Sequence, residues 1–225
     1  MIYECMHCKS LKQTQELPFC SYCLTEFSQE IHLKNSHLQF NQLVIISFSK
    51  YFGPFSKLLR EIKSQELAEI NPRSLKIINQ LVDYRLNELK SLKLSVISYI
   101  PNSPQNKWFK LHLSQYFAQI VANKLDIPLI PLLDYNFRLT RSLKKQNNFL
   151  ERYYACRKKI KIKNGVYLQN NQNILLIDDI CTSGATLSYS NELLRKYYPS
   201  IKIINLVLAD CLRNTVELTD YRPNV

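Results

Sequence analysis

Residues Ile174 to Leu187 constrain this chain more than any other stretch: Ile-Leu-Leu-Ile, then Asp178-Asp179, then Ile180-Cys181 and the turn Thr182-Ser183-Gly184-Ala185-Thr186. Four successive apolar residues suit a strand buried on both faces of a parallel sheet. The carboxyl end of such a strand is where open α/β sheets hold their ligands. The turn offers backbone N–H groups and hydroxyls at a helix N-terminus, a cradle for phosphate. One of only three glycines in the chain, Gly184, lies in it, where a side chain would obstruct close approach of a ligand to the backbone. Carboxylates beside a phosphate cradle would repel the phosphate, so ribose hydroxyls and a divalent cation are the ligands they suit. No Gly-Lys-Ser/Thr follows, which excludes a P-loop. The plainer reading is a buried strand with a polar end and a capped helix.

A hydrophobic strand, two acids and then Thr-x-Gly-x-Thr resembles the phosphoribosyl pyrophosphate (PRPP) motif of type I phosphoribosyltransferases. The resemblance implies that Asp178 and Asp179 bind the ribose hydroxyls and act as the catalytic pair. It also implies that Thr182, Ser183, Gly184, Ala185 and Thr186 wrap the 5′-phosphate, and that Mg2+ accompanies PRPP.

The cysteines are a second, independent signal. Cys5, Cys8, Cys20 and Cys23 form two Cys-x2-Cys pairs eleven residues apart. Four thiolates at this spacing suit a tetrahedral structural zinc with no open coordination position. Two disulfides would need an oxidising compartment. No signal peptide precedes Cys5, and no apolar stretch is long enough to span a bilayer, so the reading is a cytoplasmic chain without membrane insertion. Cys156, Cys181 and Cys211 read as ordinary thiols.

The 225 residues suffice for one α/β domain of moderate size plus a small appendage. Residues 1–33 read as the zinc knuckle and 40–225 as the main domain. Within it, strands are expected at Leu43–Phe48, Leu94–Ile100, Leu129–Leu133, Ile174–Ile177 and Ile201–Leu208. Helices are expected at Gly53–Ile70, Ser74–Leu89, His112–Leu125 and Thr186–Tyr197. Strands alternating with helices mean a doubly wound parallel sheet. Cys211–Val225 reads as a tail with little structure.

The net charge of +12 is concentrated in one segment. Residues 138–163 carry Arg138, Arg141, Lys144, Lys145, Arg152, Arg157, Lys158, Lys159, Lys161 and Lys163 against a single acid, Glu151, interleaved with Phe149, Tyr153 and Tyr154. Three readings stand: a solvated basic loop, a flexible hood that closes on pyrophosphate, and a track for single-stranded nucleic acid, with cations on phosphates and rings on bases.

A four-cysteine knuckle joined to a phosphoribosyltransferase-like core resembles the ComF family of competence proteins. Pro18-Phe19-Cys20-Ser21-Tyr22-Cys23 is similar to that family's Pro-x-Cys-x-x-Cys, Tyr51 to Lys63 to its first core helix, and Gln146 to its glutamine. The implied fold is a type I phosphoribosyltransferase-like doubly wound parallel sheet with a small N-terminal zinc knuckle. The implied function is PRPP and single-stranded DNA binding in natural transformation, alongside other competence proteins, with phosphoribosyltransferase (glycosyltransferase) activity as the enzymatic reading. The pyrophosphate loop would fall at Pro101 to Lys107, with Asn102, Ser103 and Lys107. Phe109-Lys110-Leu111-His112-Leu113 departs from the family's Arg-Gly-Phe-Asn-Gln run beyond that loop, which bears on transfer more than on PRPP binding. A nucleotide-salvage transferase and a non-catalytic nucleic-acid-binding factor with a regulatory PRPP site are the alternatives.

Overall fold

The computed structural model describes residues 3–12, 18–32, 37–40, 42–66, 69–102, 111–136, 148–212 and 216–217. The first cysteine pair lies in the turn between two short antiparallel strands, β1 (Tyr3–Glu4) and β2 (Leu11–Lys12). The second pair enters helix α1 (Ser21–His32), of which Cys23 is part. A hairpin follows, β3 (His37–Phe40) and β4 (Leu43–Lys50), then three helices: α2 (Gly53–Ser64), α3 (Pro72–Tyr84) and α4 (Leu86–Ser91). Next come β5 (Val96–Tyr99), α5 (Leu113–Leu125), β6 (Leu133–Tyr135), α6 (Phe149–Lys159) and β7 (Ile160–Ile162). The chain closes with β8 (Asn173–Cys181), α7 (Ala185–Tyr197), β9 (Lys202–Asp210) and β10 (Val216–Glu217).

Six strands form the main sheet in the order β10-β3-β4-β9-β8-β5. The four strands β4, β9, β8 and β5 run parallel, while β3 and β10 add an antiparallel edge. Crossovers through helices produce this parallel core, as the alternating pattern predicts. β8 lies between β9 and the edge strand β5, and its apolar run is buried on both faces. Leu175 and Ile177 join the core beneath α2, α3 and α5, whereas Ile174 and Leu176 join the core on the α7 side. All four are fully buried, and each contributes roughly 1.5–3 kcal/mol of apolar burial. A polar pin fixes α7 to the sheet: buried Asn191 on α7 donates to Asn205 Oδ1 on β9 at 2.7 Å, and Asn205 donates to the Val44 carbonyl at 3.0 Å.

The knuckle packs directly on the main core. Phe27 of α1 stacks on Phe55 of α2 with centroids 5.0 Å apart, and Lys57 of α2 donates to the His7 carbonyl at 2.6 Å.

Several elements differ from the expected bounds. The first long helix stops at Ser64, where the backbone of Gln65 turns extended (ψ 155°) and the Ser64 hydroxyl bonds the Glu61 carbonyl; Leu67, expected on its apolar face, lies outside the described residues. The helix expected at Ser74–Leu89 divides at Arg85, whose buried guanidinium sits 5.4 Å from the centroid of the Phe48 ring. Around Leu129 there is only a single parallel bridge to Ile97, and the strand itself lies at Leu133–Tyr135. Residues Val216 and Glu217, expected in an unstructured tail, pair with β3, and Leu212 before them is buried. Within the basic segment, residues 149–159 form α6 and 160–162 form β7, antiparallel to β6; residues 137–147 lie outside the described residues.

Candidate functional site

Strand β8 does not end where its apolar run ends. Asp178 pairs in register with Val207, Ile180 with Ala209 and Cys181 with Asp210, so both acids belong to the strand. The chain then turns through Thr182 and Ser183 to Gly184, which adopts φ 73° and stands immediately before α7. Only glycine takes that left-handed conformation at little cost. A Cβ there would also come within 2.7 Å of the Phe40 ring. Gly184 therefore lets the turn lie flat against β3. The amides of the first turn of α7 give this end of the helix its partial positive charge, and the Ala185 amide donates to Ser183 Oγ at 3.4 Å.

A cleft of about 310 Å³ opens over this turn. Its walls include Asp178, Ile180 and Cys181 of β8, the whole of Thr182–Leu187, Pro101 after β5, and Arg152, Cys156 and Lys159 from α6. Arg152 reaches across the opening and donates to Thr182 Oγ1 at 2.5 Å. Helix α6 is held over the cleft by its packing on α7, with Tyr153 against Tyr189 (centroids 5.7 Å) and a Tyr153 hydroxyl bond to Glu192. Its start is set by Asn148, whose side chain accepts from the Glu151 amide at 2.8 Å, an Asx N-cap.

The two acids have different surroundings. Asp178 Oδ1 accepts from the Asp179 amide at 2.8 Å and from the Ser114 hydroxyl of α5 at 3.2 Å. Burial first, and then the like charge of Asp179, push its carboxyl up to about 7. Asp179 does not line the cleft. Its Oδ2 is 2.9 Å from Lys63 Nζ of α2, and its Oδ1 accepts from the Ile180 amide at 2.7 Å. A neighbouring buried pair, Lys50 and Asp210, joins the carboxyl ends of β4 and β9. Burial raises the thiols of both Cys156 and Cys181, so neither is poised as a nucleophile.

The other expected site residues divide clearly. Asn102 follows Pro101 and is half-buried, while Ser103 and Lys107 lie outside the described residues. Of the basic residues, Arg152 and Lys159 face the cleft, Arg157 and Lys158 are exposed on α6, and Arg141, Lys144 and Lys145 lie outside the described residues. Sequence reasoning missed Lys63 and Ser114 as partners of the acids, because pairing across 116 and 64 residues leaves no local signal. It also missed α6, although Asn148 three residues before Glu151 is a capping signature.

In the N-terminal knuckle, the sulfurs of Cys5, Cys8, Cys20 and Cys23 all lie within 4.8 Å of one another. Cys8 Sγ and Cys20 Sγ are 3.7 Å apart. Tetrahedral zinc with Zn–S near 2.3 Å requires about 3.8 Å between sulfurs, so the cluster fits that ion. Backbone geometry already turns toward the sulfurs: the Cys20 amide donates to Cys5 Sγ at 3.2 Å. The Ser10 hydroxyl, 2.9 Å from Cys8 Sγ, pulls that thiol down to about 6, favouring the thiolate. His7 Nδ1 is 3.4 Å from Cys23 Sγ and lies just outside the four-sulfur set. The four cysteines would hold zinc as a closed structural centre.

Residues 112–222, just under half of the chain, match the family described as "Phosphoribosyl transferase domain". This half of the chain is phosphoribosyltransferase-like, and it holds β8, the turn, α6 and α7. No curated protein matches the chain. Among solved structures, an adenine phosphoribosyltransferase from Saccharomyces cerevisiae is similar at 15% identity and a TM-score of 0.43, covering 83% of this chain and 89% of that one. A hypoxanthine phosphoribosyltransferase from Staphylococcus aureus is similar at 18% identity and a TM-score of 0.36, covering 68% and 71%. Likenesses this loose carry no argument of their own. Among the described residues, no helix is long and apolar enough to cross a membrane.

Proposed function

We propose that this chain binds PRPP in the cleft between β8, α6 and α7, as a ComF-like phosphoribosyltransferase with a zinc knuckle, and that it contacts single-stranded DNA. One observation carries the reading: a carboxylate and a phosphate-sized turn share one cleft at the carboxyl end of a parallel strand, under a helix N-terminus. The 5′-phosphate would take the amides and hydroxyls of Thr182–Thr186, with Arg152 and Lys159 as counter-charges. Arg152 already bonds Thr182 and would exchange that neutral partner for the phosphate, a stronger charge-assisted bond.

Asp178 would accept from a ribose hydroxyl. During transfer, the bond from ribose C1 to pyrophosphate breaks, the electron pair leaves with pyrophosphate, and an incoming nucleophile bonds to C1. Positive charge develops on the ribose ring in between, and the Asp178 carboxylate stabilises it while holding the hydroxyls in place. The oxygen-rich cleft suits a hard cation; Mg2+, held by the oxygens of PRPP itself, would neutralise the leaving pyrophosphate. Pro101, the first residue of the expected pyrophosphate loop, lines the cleft.

The DNA reading is supported by α6. Its outer side carries exposed Arg157 and Lys158 together with exposed Leu150 and Tyr154, a mixture of cations and apolar groups suited to a single strand. A role in competence, with other competence proteins as partners and a cytoplasmic location, rests on the resemblance of the cysteine knuckle and the core helix.

The test is isothermal titration of PRPP with Mg2+ into the zinc-loaded protein. The wild type should bind, and Asp178→Asn should bind at least tenfold more weakly. Equal affinity of the two would remove Asp178 from the site. Heat from a purine or pyrimidine base together with PRPP, with release of pyrophosphate, would favour nucleotide salvage over competence.

A further inference from the structure

Helix α6 borders two cavities. Arg152, Cys156 and Lys159 follow the helical period along the face that lines the cleft. Phe149 and Tyr153, one turn apart, share a different face, and that face lines a second cavity of about 590 Å³. Ser188, Asn191, Glu192 and Arg195, on one face of α7, form another wall, and the β3–β4 turn at Gln42 and Leu43 closes the groove. The two cavities share helices but no lining residue.

The groove has an aromatic wall. Phe149 and Tyr153 are stacked, with centroids 6.1 Å apart and 24° between their planes, and Phe40 adds a tilted ring 6.4 Å from Phe149. Tyr153 is held in place, edge-on to Tyr189 and bonded through its hydroxyl to Glu192. A ring fixed in this way can stack a flat ligand with little further ordering. The α7 wall is polar and incompletely paired. Asn191 is only 2% exposed, and its side-chain nitrogen donates to the Leu187 carbonyl and to Asn205 Oδ1. Its own Oδ1 has no partner among the described residues, and neither has the Ser188 hydroxyl. Withdrawn oxygens of this kind are unfavourable until a donor reaches them. Ser188 is only partly buried, so a change of χ1 rotamer can turn its hydroxyl into the groove. Arg195, exposed on the same wall, supplies positive charge, while the acid beside it, Glu192, is engaged by Tyr153.

We propose that this groove binds one nucleotide unit: its base stacks on the Phe149–Tyr153 wall, an N–H of the base edge meets Ser188 and Asn191, and its phosphate meets Arg195. Stacking, a donor edge and a phosphate occur together in nucleotides, and base-on-ring stacking is indifferent to sequence because every base has a π-face. The proposal deepens the single-strand reading above and rests on it for the source of the nucleotide. A strand seated here would run on to Arg157 and Lys158 further along α6. A free mononucleotide offers the same groups.

The test uses the zinc-loaded full chain with PRPP·Mg2+ in excess to occupy the cleft. A single strand carrying bromouracil should photo-cross-link to Phe149 or Tyr153, as located by peptide sequencing in the mass spectrometer. Cross-links confined to Tyr154 would overturn the groove. By fluorescence anisotropy, Phe149→Leu, which keeps an apolar side chain, should bind the strand about tenfold more weakly, the loss expected for one stacked base. Arg195→Gln should lower the slope of log affinity against log salt by about 0.7. Both variants should keep the circular dichroism and melting temperature of the wild type. Unchanged affinity in Phe149→Leu, or an unchanged slope in Arg195→Gln, would overturn the proposal and leave the outer side of α6 as the DNA surface. If the wild type binds no single strand, the DNA reading falls, and deoxyadenosine monophosphate decides the groove by itself. Binding that Phe149→Leu weakens would make it a free-nucleotide site; no binding, or binding indifferent to Phe149→Leu, would overturn it.

Discussion

Replacing Asp178 with asparagine should stabilise the unliganded protein, and do so only as pH rises. Asp178 has its carboxyl raised from an ordinary value of 3.8 to about 7, through burial and the nearby Asp179 charge. A carboxyl raised on folding contributes stability that is fully present below its unfolded value and lost as pH rises through its folded value. The wild type should therefore lose stability between about pH 4 and pH 7 from this group alone. At 1.36 kcal/mol per pKa unit, a shift of about three units corresponds to roughly 4 kcal/mol. Asp178 borders the open cleft, where water screens its charge, so roughly 1–2 kcal/mol is expected between pH 5 and pH 8.5. Starting at pH 5 limits protonation of the cysteine thiolates, which would release zinc and add its own signal. For a chain of this length 1 kcal/mol moves the melting temperature by about 2–4 °C. Thermal melts at constant zinc should show the Asp178→Asn advantage growing by about 2–8 °C across that window. A pH-independent offset from the altered Ser114 contact is allowed for by using only the change with pH. A difference that is flat from pH 5 to 8.5, or one that grows in favour of the wild type, would refute the reasoning.

Zinc analysis should find one ion per chain, and cobalt substituted for it should give the absorption of a tetrahedral thiolate site; Cys8→Ser should lose that signature, and a stoichiometry of zero in freshly purified protein would exclude the centre. For DNA, reversing charge at Arg157 and Lys158 together should weaken single-strand binding and lower the slope of log affinity against log salt by roughly 1–1.5, since each phosphate contact on a single strand contributes about 0.7. Fluorescence anisotropy across a salt series measures this, and an unchanged slope would take α6 out of the DNA interface.

The parallel core was legible because its signals are local and strong. The uninterrupted apolar run at Ile174–Ile177 has one stable home, and the amphipathic segments around it supply the covering helices. The cysteine spacing foretold a cluster that the fold brings together, since two tight turns joined by a short loop have few other ways to satisfy four sulfurs. Boundaries were less legible where a tertiary contact decides them. The division at Arg85 coincides with a buried guanidinium over Phe48, a ring far away in sequence. Helix α6 was obscured by its own composition: ten cations within 138–163 look like a solvated loop, yet Ala155 is buried and Tyr153 stands edge-on to Tyr189. Long basic side chains keep their charges in water while their stems cover apolar surface, so a charged helix reads as more exposed than it is.

The acid pair marks the point where sequence and geometry part. A polar pair after an apolar run reads naturally as the end of a strand, and two acids in a loop can both turn toward one ligand. Strand β8 nevertheless continues beyond both, with Asp178 opposite Val207, Ile180 opposite Ala209 and Cys181 opposite Asp210. Hydrogen bonding between backbones is indifferent to side-chain polarity, so hydropathy cannot report it. Both side chains then meet helices that cover the same core of the sheet, and each finds its own partner there. Ser114 from α5 meets one and Lys63 from α2 meets the other. Adjacency in sequence thus names two carboxylates, and the fold gives them different partners: Asp178 lines the cleft beside Ser114, and Asp179 meets Lys63.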